Sequence, residues 1–169
     1  MPLTLEDVNP EFGSIYYGTM SSLNCIIVVL FTVPITTLTE KYTSINKMIL
    51  GNIFEVSGLI IFVLFVRSSI MYYISIIVFS IGEIICTITT TPHITKRIPI
   101  NYRGRILSLN DFLYYFLYAV VQFIVGYVYD LYGMYQSWII VFSIGFITTI
   151  SYHMIKKSDE KAFPDLYKK

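Results

Sequence analysis

The sequence predicts an all-α integral membrane protein with five transmembrane helices, and three observations lead to this fold class. Of the 169 residues, 55% are hydrophobic and only 14% are charged, whereas a soluble domain is about one quarter charged. Five segments approach or exceed the roughly 20 apolar residues that a helix needs to cross a bilayer. Their apolar runs are unbroken, whereas a barrel strand alternates in polarity over about 10 residues.

The five predicted spans follow one another with short connections. Residues 1–155 are therefore predicted to form one transmembrane bundle, and residues 156–169 a basic tail. We expect the protein to lie in the lipid bilayer of the cell (plasma) membrane as a multi-pass protein. The predicted spans are 15–38, 48–66, 70–91, 106–129 and 136–155.

The positions of the cations predict an orientation. Eleven of the twelve Lys and Arg residues lie in alternate connections or after the last span, and Arg67 is the exception. The positive-inside rule places these connections and the C-terminus in the cytoplasm. The first 13 residues hold three acids and no cation, so the N-terminus is predicted outside. The eleven cations are Lys41, Lys47, Lys96, Arg97, Arg103, Arg105, Lys156, Lys157, Lys161, Lys168 and Lys169.

An outside N-terminus without a recognisable signal peptide predicts a further helix before it. Residues 1–5 would form the outer end of that helix, and the chain would be a fragment of a longer polytopic protein or a shortened gene product. The alternative is a five-helix protein whose short acidic N-terminus crosses the membrane unaided.

The first span carries one polar side chain in its outer half, Asn24. A lone membrane Asn usually hydrogen-bonds a neighbouring helix, and lining a solute cavity is the alternative role for Asn24. Gly18 and Ser22 form a small-residue pair at a spacing that favours close helix packing. Pro34, one turn from the end of the span, predicts a kink.

The second and third spans each carry a carboxylate, Glu55 and Glu83. The three-residue connection 67–69 makes the two spans an antiparallel hairpin, which puts the acids about 10 and 12 Å from the cytoplasmic ends of their helices. No Lys or Arg lies within any span. Two facing acids in a low dielectric would share a proton, which makes both residues proton-coupling candidates.

Two structural alternatives stand beside this interpretation. Glu55 and Glu83 are then separate, protonated side chains that hydrogen-bond inside the bundle, or Glu83 pairs with a loop cation such as Lys41 or Arg103. A structural role is favoured for Glu55, whereas function and structure are weighed equally for Glu83.

Small residues follow the same faces of these two spans and favour close helix packing. The stripes are Gly51, Glu55 and Gly58 on the second span and Ser75, Phe79, Gly82 and Cys86 on the third.

The fourth span has a polar face that would suit either a water-filled cavity or a helix contact rich in Tyr hydroxyls. Gln122, near its middle, is the best candidate for touching a polar solute, and Tyr118 is a second cavity-lining candidate. The face consists of Asp111, Tyr115, Tyr118, Ala119, Gln122 and Gly126. The fifth span adds no charged residue, and its single His153, near a span end like His93, is expected to be structural.

Several function classes are not indicated. No hydrolase triad, paired metal ligands, P-loop or dinucleotide-binding fingerprint is present, so we expect no enzyme, no metal and no cofactor. Cys25 and Cys86 lie alone in apolar runs and are expected to be packing residues. The net charge of +1 gives no reason to expect nucleic-acid binding.

Four stretches together resemble the C-terminal half of a major facilitator superfamily transporter, of the drug/proton antiporter type. The resemblance covers about residues 1–155, from the end of the seventh helix through the twelfth. Its most specific part is a Gly-Glu pair followed by Pro and then by Arg103-Gly104-Arg105, joined to a Gly, acid, Gly, Trp string. The stretches are 16–41, 39–62, 80–109 and 126–138, similar to the eighth, ninth, tenth and eleventh helices with their flanking loops.

The resemblance implies solute transport by alternating access, with two six-helix bundles rocking around a midplane site. In that family the tenth helix lines the cavity and acids in the bundle can couple proton movement to transport. Only Glu83 matches well enough to carry such a role. The implied partners are a small solute, protons and the missing N-terminal half, and the chain alone is expected to be inactive. The alternative is a structural or assembly subunit of a membrane complex.

Two departures from the family pattern weaken particular expectations. Of the glycines and proline common in the eleventh helix, only Gly126 is present. The loop after the first span keeps Glu40, Lys41 and Lys47 but lacks the usual arginines and glycine, so the conformational latch found there is in doubt.

Overall fold

The structure is a computed structural model and describes residues 1–164. This part of the chain is 88% helical and contains no β-strand. A single 3-10 turn, Ile100–Tyr102, precedes the fifth helix. The helices are α1 (Pro2–Val8), α2 (Gly13–Thr39), α3 (Ser44–Leu64), α4 (Ser69–Thr95), α5 (Arg103–Tyr132) and α6 (Met134–Ala162).

Helices α2 to α6 are each long and apolar enough to cross a membrane, which confirms the predicted all-α membrane fold with five spanning helices. Four predicted spans lie wholly within their helices. The exception is 48–66, since α3 begins earlier, at Ser44, and ends at Leu64. Helix α6 continues into the predicted basic tail as far as Ala162. Lys168 and Lys169 lie outside the described residues.

Helix α4 occupies the centre of the bundle. It packs against α3 on one side and α2 on the other, while α6 packs on α3 and α5 packs mainly on α6. The short helix α1 packs against α2. Helix α5 buries no residue against the other described helices, so one of its faces is open along the whole span.

The α3–α4 interface is a backbone contact made possible by glycine. A Cβ added to Gly82 would lie 2.5 Å from the carbonyl oxygen of Gly51, and one added to Gly58 would lie 2.7 Å from the amide nitrogen of Phe79. Any side chain at these glycines would force the helices apart. The small-residue stripes predicted for these two spans are thus confirmed as a packing surface.

The small-residue pair on α2 behaves differently. A Cβ on Gly18 would meet no atom of the described chain within 4 Å. The Ser22 hydroxyl donates to the carbonyl oxygen of Gly18 in the same helix, at 2.9 Å. The close packing expected for Gly18 and Ser22 therefore has no counterpart among residues 1–164.

An aromatic cluster closes the end of the bundle at which α1 lies. The rings of Tyr72 and Trp138 each lie 5.7 Å from that of Phe62, between α4, α6 and α3. The indole nitrogen of Trp138 donates to the hydroxyl of Thr4 at 3.2 Å. Leu5 is fully buried in the same cluster, so α1 is anchored to the bundle by both apolar and polar contacts.

An ion pair ties the turn just after α4 to α6 at the opposite end. The Nε atom of Arg97 donates to Oδ1 of Asp159 at 2.6 Å, and a second guanidinium nitrogen binds the other carboxylate oxygen. Arg97 also donates to the carbonyl oxygen of His93 at 2.7 Å. Asp159 is only 7% exposed, so this is a bidentate pair with little access to water.

Candidate functional site

A polar junction lies between α2 and α4 and consists of Asn24, Ser80 and Glu83. The amide nitrogen of Asn24 donates to Oε2 of Glu83 at 2.8 Å and to the hydroxyl oxygen of Ser80 at 2.9 Å. Ser80 is fully buried, and the other two side chains are half-buried. The junction thus gathers an amide, a hydroxyl and a carboxyl among apolar neighbours.

Helical spacing explains how the sequence builds this junction. Ser80 and Glu83 are three residues apart on α4, so both side chains lie on the face that packs against α2. A single Asn on α2 at the matching level then reaches both of them. The hydrogen bond to a neighbouring helix that we expected for Asn24 is confirmed.

The Ser80 hydroxyl fixes the direction of the Asn24 amide. Its proton is donated to the carbonyl oxygen of Ile76 at 2.6 Å, so toward Asn24 the hydroxyl oxygen acts as an acceptor. The nitrogen of Asn24, rather than its oxygen, must then point into the junction. Ser80 was not among the residues singled out from the sequence, although its spacing from Glu83 is a usable signal.

Glu55 lies on the opposite side of α4. Its backbone nitrogen would be 2.6 Å from a Cβ on Gly82, so Glu55 and Glu83 occupy neighbouring levels of the helix pair, as the hairpin argument predicted. The Cγ atom of Glu55 would lie 2.9 Å from the same Cβ, so its side chain runs along the backbone of α4 at Gly82. The thiol of Cys86, one turn further along α4, donates to the carbonyl oxygen of Met48 at 3.9 Å.

Glu83 thus has a hydrogen-bond partner on α2, Asn24, whereas the Glu55 side chain lies against the α4 backbone at Gly82. A proton shared directly between the two carboxyls stays a prediction. The cations considered as partners of Glu83 make other contacts. The Lys41 ammonium lies 5.2 Å from the centre of the Tyr42 ring, and Arg103 donates to the carbonyl oxygen of Ile98 at 3.3 Å.

The polar face of α5 is exposed. The side-chain nitrogen of Gln122 donates to the Tyr118 hydroxyl at 2.7 Å within the same helix, and Asp111 and Tyr115 are exposed as well. No other described helix covers this face. The sequence suggested either a water-filled cavity or a helix–helix contact for this face. Within residues 1–164 the helix–helix contact is not formed.

Two tyrosines that the sequence did not single out lie within electrostatic range of Glu55. They are Tyr114 of α5 and Tyr152 of α6. Neither belongs to a polar stripe in the sequence, because aromatic residues are frequent throughout these spans. Only the packing of α6 on α3, and of α5 on α6, reveals their proximity to the carboxyl.

A second buried amide, also missed, holds α3 to α6. Asn52 donates to the hydroxyl of Thr149 at 2.6 Å and to the carbonyl oxygen of Gly145 at 3.1 Å. It has no carboxyl partner, which distinguishes it from Asn24. The signal in the sequence was the same in both cases, a single Asn in an apolar run.

The Arg103-Gly104-Arg105 motif lies in the first turn of α5 rather than in the loop before it. A Cβ on Gly104 would meet nothing within 4 Å in the described chain, so this glycine is not required by close packing there. The described residues also contain no group of three or more His, Cys, Asp or Glu side chains placed to hold a metal ion.

The fold and this junction define a helical membrane protein in which an amide on one spanning helix binds a carboxyl on the next. Comparison with family models, with curated proteins and with solved structures gives no match for this chain.

Proposed function

We propose that this chain is the C-terminal part of a secondary transporter of the major facilitator type. The assembled transporter moves a small solute across the plasma membrane by alternating access, coupled to protons. The N-terminus lies outside and the C-terminus in the cytoplasm. The protein is not an enzyme, and a second bundle supplies the other wall of its cavity. The proposal rests on the sequence resemblance and on one feature of the bundle, the environment of Glu83.

Glu83 lies well inside a spanning helix and is bound by an amide. A charged side chain near the bilayer centre costs about 2.5–3.5 kcal/mol on insertion scales, so its presence calls for a role. Ionisable residues inside membrane bundles commonly serve proton or ion pathways. Glu83 is half-buried, so its side chain keeps some access to its surroundings.

The open face of α5 supports the same proposal. Polar groups exposed to hydrocarbon are unfavourable, and Gln122 and Tyr118 are both exposed. A water-filled cavity between this chain and the missing half would solvate them. We propose that Asn24, Gln122 and Tyr118 line that cavity. Glu55 then serves mainly in the packing of α3 against α4 at Gly82.

A structural subunit without transport activity is the second candidate. The observation that favours it is the backbone contact between α3 and α4 at Gly51, Gly58 and Gly82, which suits a rigid scaffold. In that case Glu83 serves only to bind Asn24 and align α2 with α4.

The cheapest test is the coding sequence upstream of Met1. Seven further apolar spans immediately before it would support a transporter half, and an unrelated gene there would argue against it.

The functional test uses the chain together with that upstream product in inverted membrane vesicles, with ethidium as the solute and an imposed pH gradient. We expect Glu83→Gln to abolish proton-driven ethidium uptake at unchanged abundance. Glu160→Gln is the matched control, because Glu160 is exposed near the end of α6. Unchanged uptake per assembled complex in Glu83→Gln, with altered assembly or abundance, would instead favour the structural subunit.

A further inference from the structure

The Asn24–Ser80–Glu83 junction uses every polar hydrogen it contains. Both N–H groups of the Asn24 amide are donated, one to Ser80 and one to Glu83. The Ser80 proton goes to the carbonyl oxygen of Ile76. This arrangement fits an ionised Glu83, since a carboxylate only accepts hydrogen bonds.

Protonation of Glu83 would disturb this pattern, because a carboxylic acid must also donate. The carbonyl oxygen of Asn24, which now points out of the junction, is a group able to accept. A half-turn of the amide about its last bond would bring that oxygen to Glu83. Ser80 would then turn its hydroxyl from Ile76 to the same oxygen, so the carboxyl proton and the hydroxyl proton would both have an acceptor.

Both orientations therefore give each polar group inside the junction a partner, which buried polar groups require. We propose that the Asn24 amide reverses its orientation when Glu83 gains or loses a proton, with Ser80 as the hydroxyl that permits both states. Asn24 and Ser80 are then positioning residues. Through them, a change in the protonation state of Glu83 on α4 changes the side-chain orientation of Asn24 on α2. The inference rests on the proposed function in one respect, that Glu83 takes up and releases a proton.

Three other titratable groups lie close enough to Glu83 to respond to its charge. They are Glu55 of α3, Cys86 of α4 and Tyr114 of α5. Thiols and phenols are neutral at ordinary pH, so Glu55 is the group whose titration could be confused with that of Glu83. The experiment is therefore performed both in the natural chain and in Glu55→Gln.

The test follows side-chain amide signals by NMR. The full chain is labelled with ¹⁵N at Asn and with ¹³C at the Glu carboxyls, placed in lipid nanodiscs, and titrated with acid. The Asn24 signals are identified by their loss in Asn24→Leu. We expect them to shift with the same midpoint as the Glu83 carboxyl carbon, in both backgrounds, and to lose this shift in Glu83→Gln.

Asn52 provides an internal control, because its amide bonds to a hydroxyl and a carbonyl with no carboxyl partner. Its signals should stay constant, and their presence reports that each variant is folded. Ser80→Ala should reduce the shift at Asn24, since the amide loses the partner that fixes its orientation.

Three outcomes would overturn the proposal. Asn24 signals that stay constant while Glu83 titrates would do so, as would a shift that persists in Glu83→Gln. A Glu83 carboxyl that never titrates would also exclude the switch. Transport is measured separately, so a switch that operates in a complex without ethidium uptake would refute the proposed function and leave this inference standing.

Discussion

At one end of the bundle, the ion pair between Arg97, just after α4, and Asp159 of α6 links these two parts of the chain. The carboxylate is 7% exposed and the guanidinium 14%, so both groups have given up most of their water. Removal of one partner from a buried ion pair is costly because the other charge is left without compensation, by about 3–5 kcal/mol.

We therefore expect Asp159→Asn to lower the thermal stability of the detergent-solubilised protein, by up to about 3–5 kcal/mol at the midpoint. The adjacent Glu160→Gln, an exposed carboxyl lost from the same turn of α6, should change it by less than about 0.5 kcal/mol. Thermal unfolding followed by circular dichroism measures both variants. Equal effects of the two substitutions would show that the pair contributes little.

The sequence identified Glu83, Glu55 and Asn24 as unusual because each interrupts an apolar run. The residues that these side chains contact could not be predicted from the sequence. The contact between Asn24 and Glu83 joins residues 59 positions apart, and it depends on the angle at which α2 crosses α4. Arg97 illustrates the same difficulty, since it appeared only as one of several loop cations and its partner is 62 positions away.

At the scale of the helices, α3 and α4 are specified by the regular placement of small residues. Helical periodicity is a local property, so the stripes at Gly51, Gly58 and Gly82 were predictable from sequence. Gly18 shows the limit of that argument, because the same spacing on α2 has no partner in the described chain. A small residue permits close approach, but a second helix must be present to use it.

The helix pair gives a direct prediction. Gly82→Leu should separate α3 from α4, because even its first side-chain atom would meet the Gly51 carbonyl at 2.5 Å. We expect a loss of about 1–3 kcal/mol in stability, as for other overpacked cores.

Gly126→Leu is the matched control for this substitution. A Cβ there meets nothing within 4 Å in the described chain, and both variants make the same change in helix propensity. A loss of stability at Gly126 equal to that at Gly82 would argue against the backbone contact. Thermal unfolding of both proteins in the same detergent makes the comparison.

At the scale of the whole molecule, five spanning helices could be predicted because length and apolar content are sufficient to define them. Which helix packs against which could not be predicted. Length and apolar content do not show that α4 is central and α5 open, since both helices are long and apolar enough to cross a membrane. Orientation in the membrane is a separate question that depends on the distribution of Lys and Arg.

Cysteine labelling tests the predicted orientation. In a chain with Cys25→Ser and Cys86→Ala, we expect Gln136→Cys to react with a membrane-impermeant maleimide added to intact cells. Tyr102→Cys should react only after the membrane is opened. Both positions are exposed, so access to the thiol is not limited by packing. Labelling of Tyr102→Cys alone in intact cells would reverse the orientation.

The glycine contact between α3 and α4 has a mechanical consequence. On that side of α4 the two backbones lie in close contact, so we expect α3 and α4 to move together as one rigid unit. On the other side, apolar side chains and three hydrogen-bonding groups meet α2, and side-chain contacts of this kind permit small shear displacements. We therefore expect helices to move relative to one another mainly at the interface between α4 and α2.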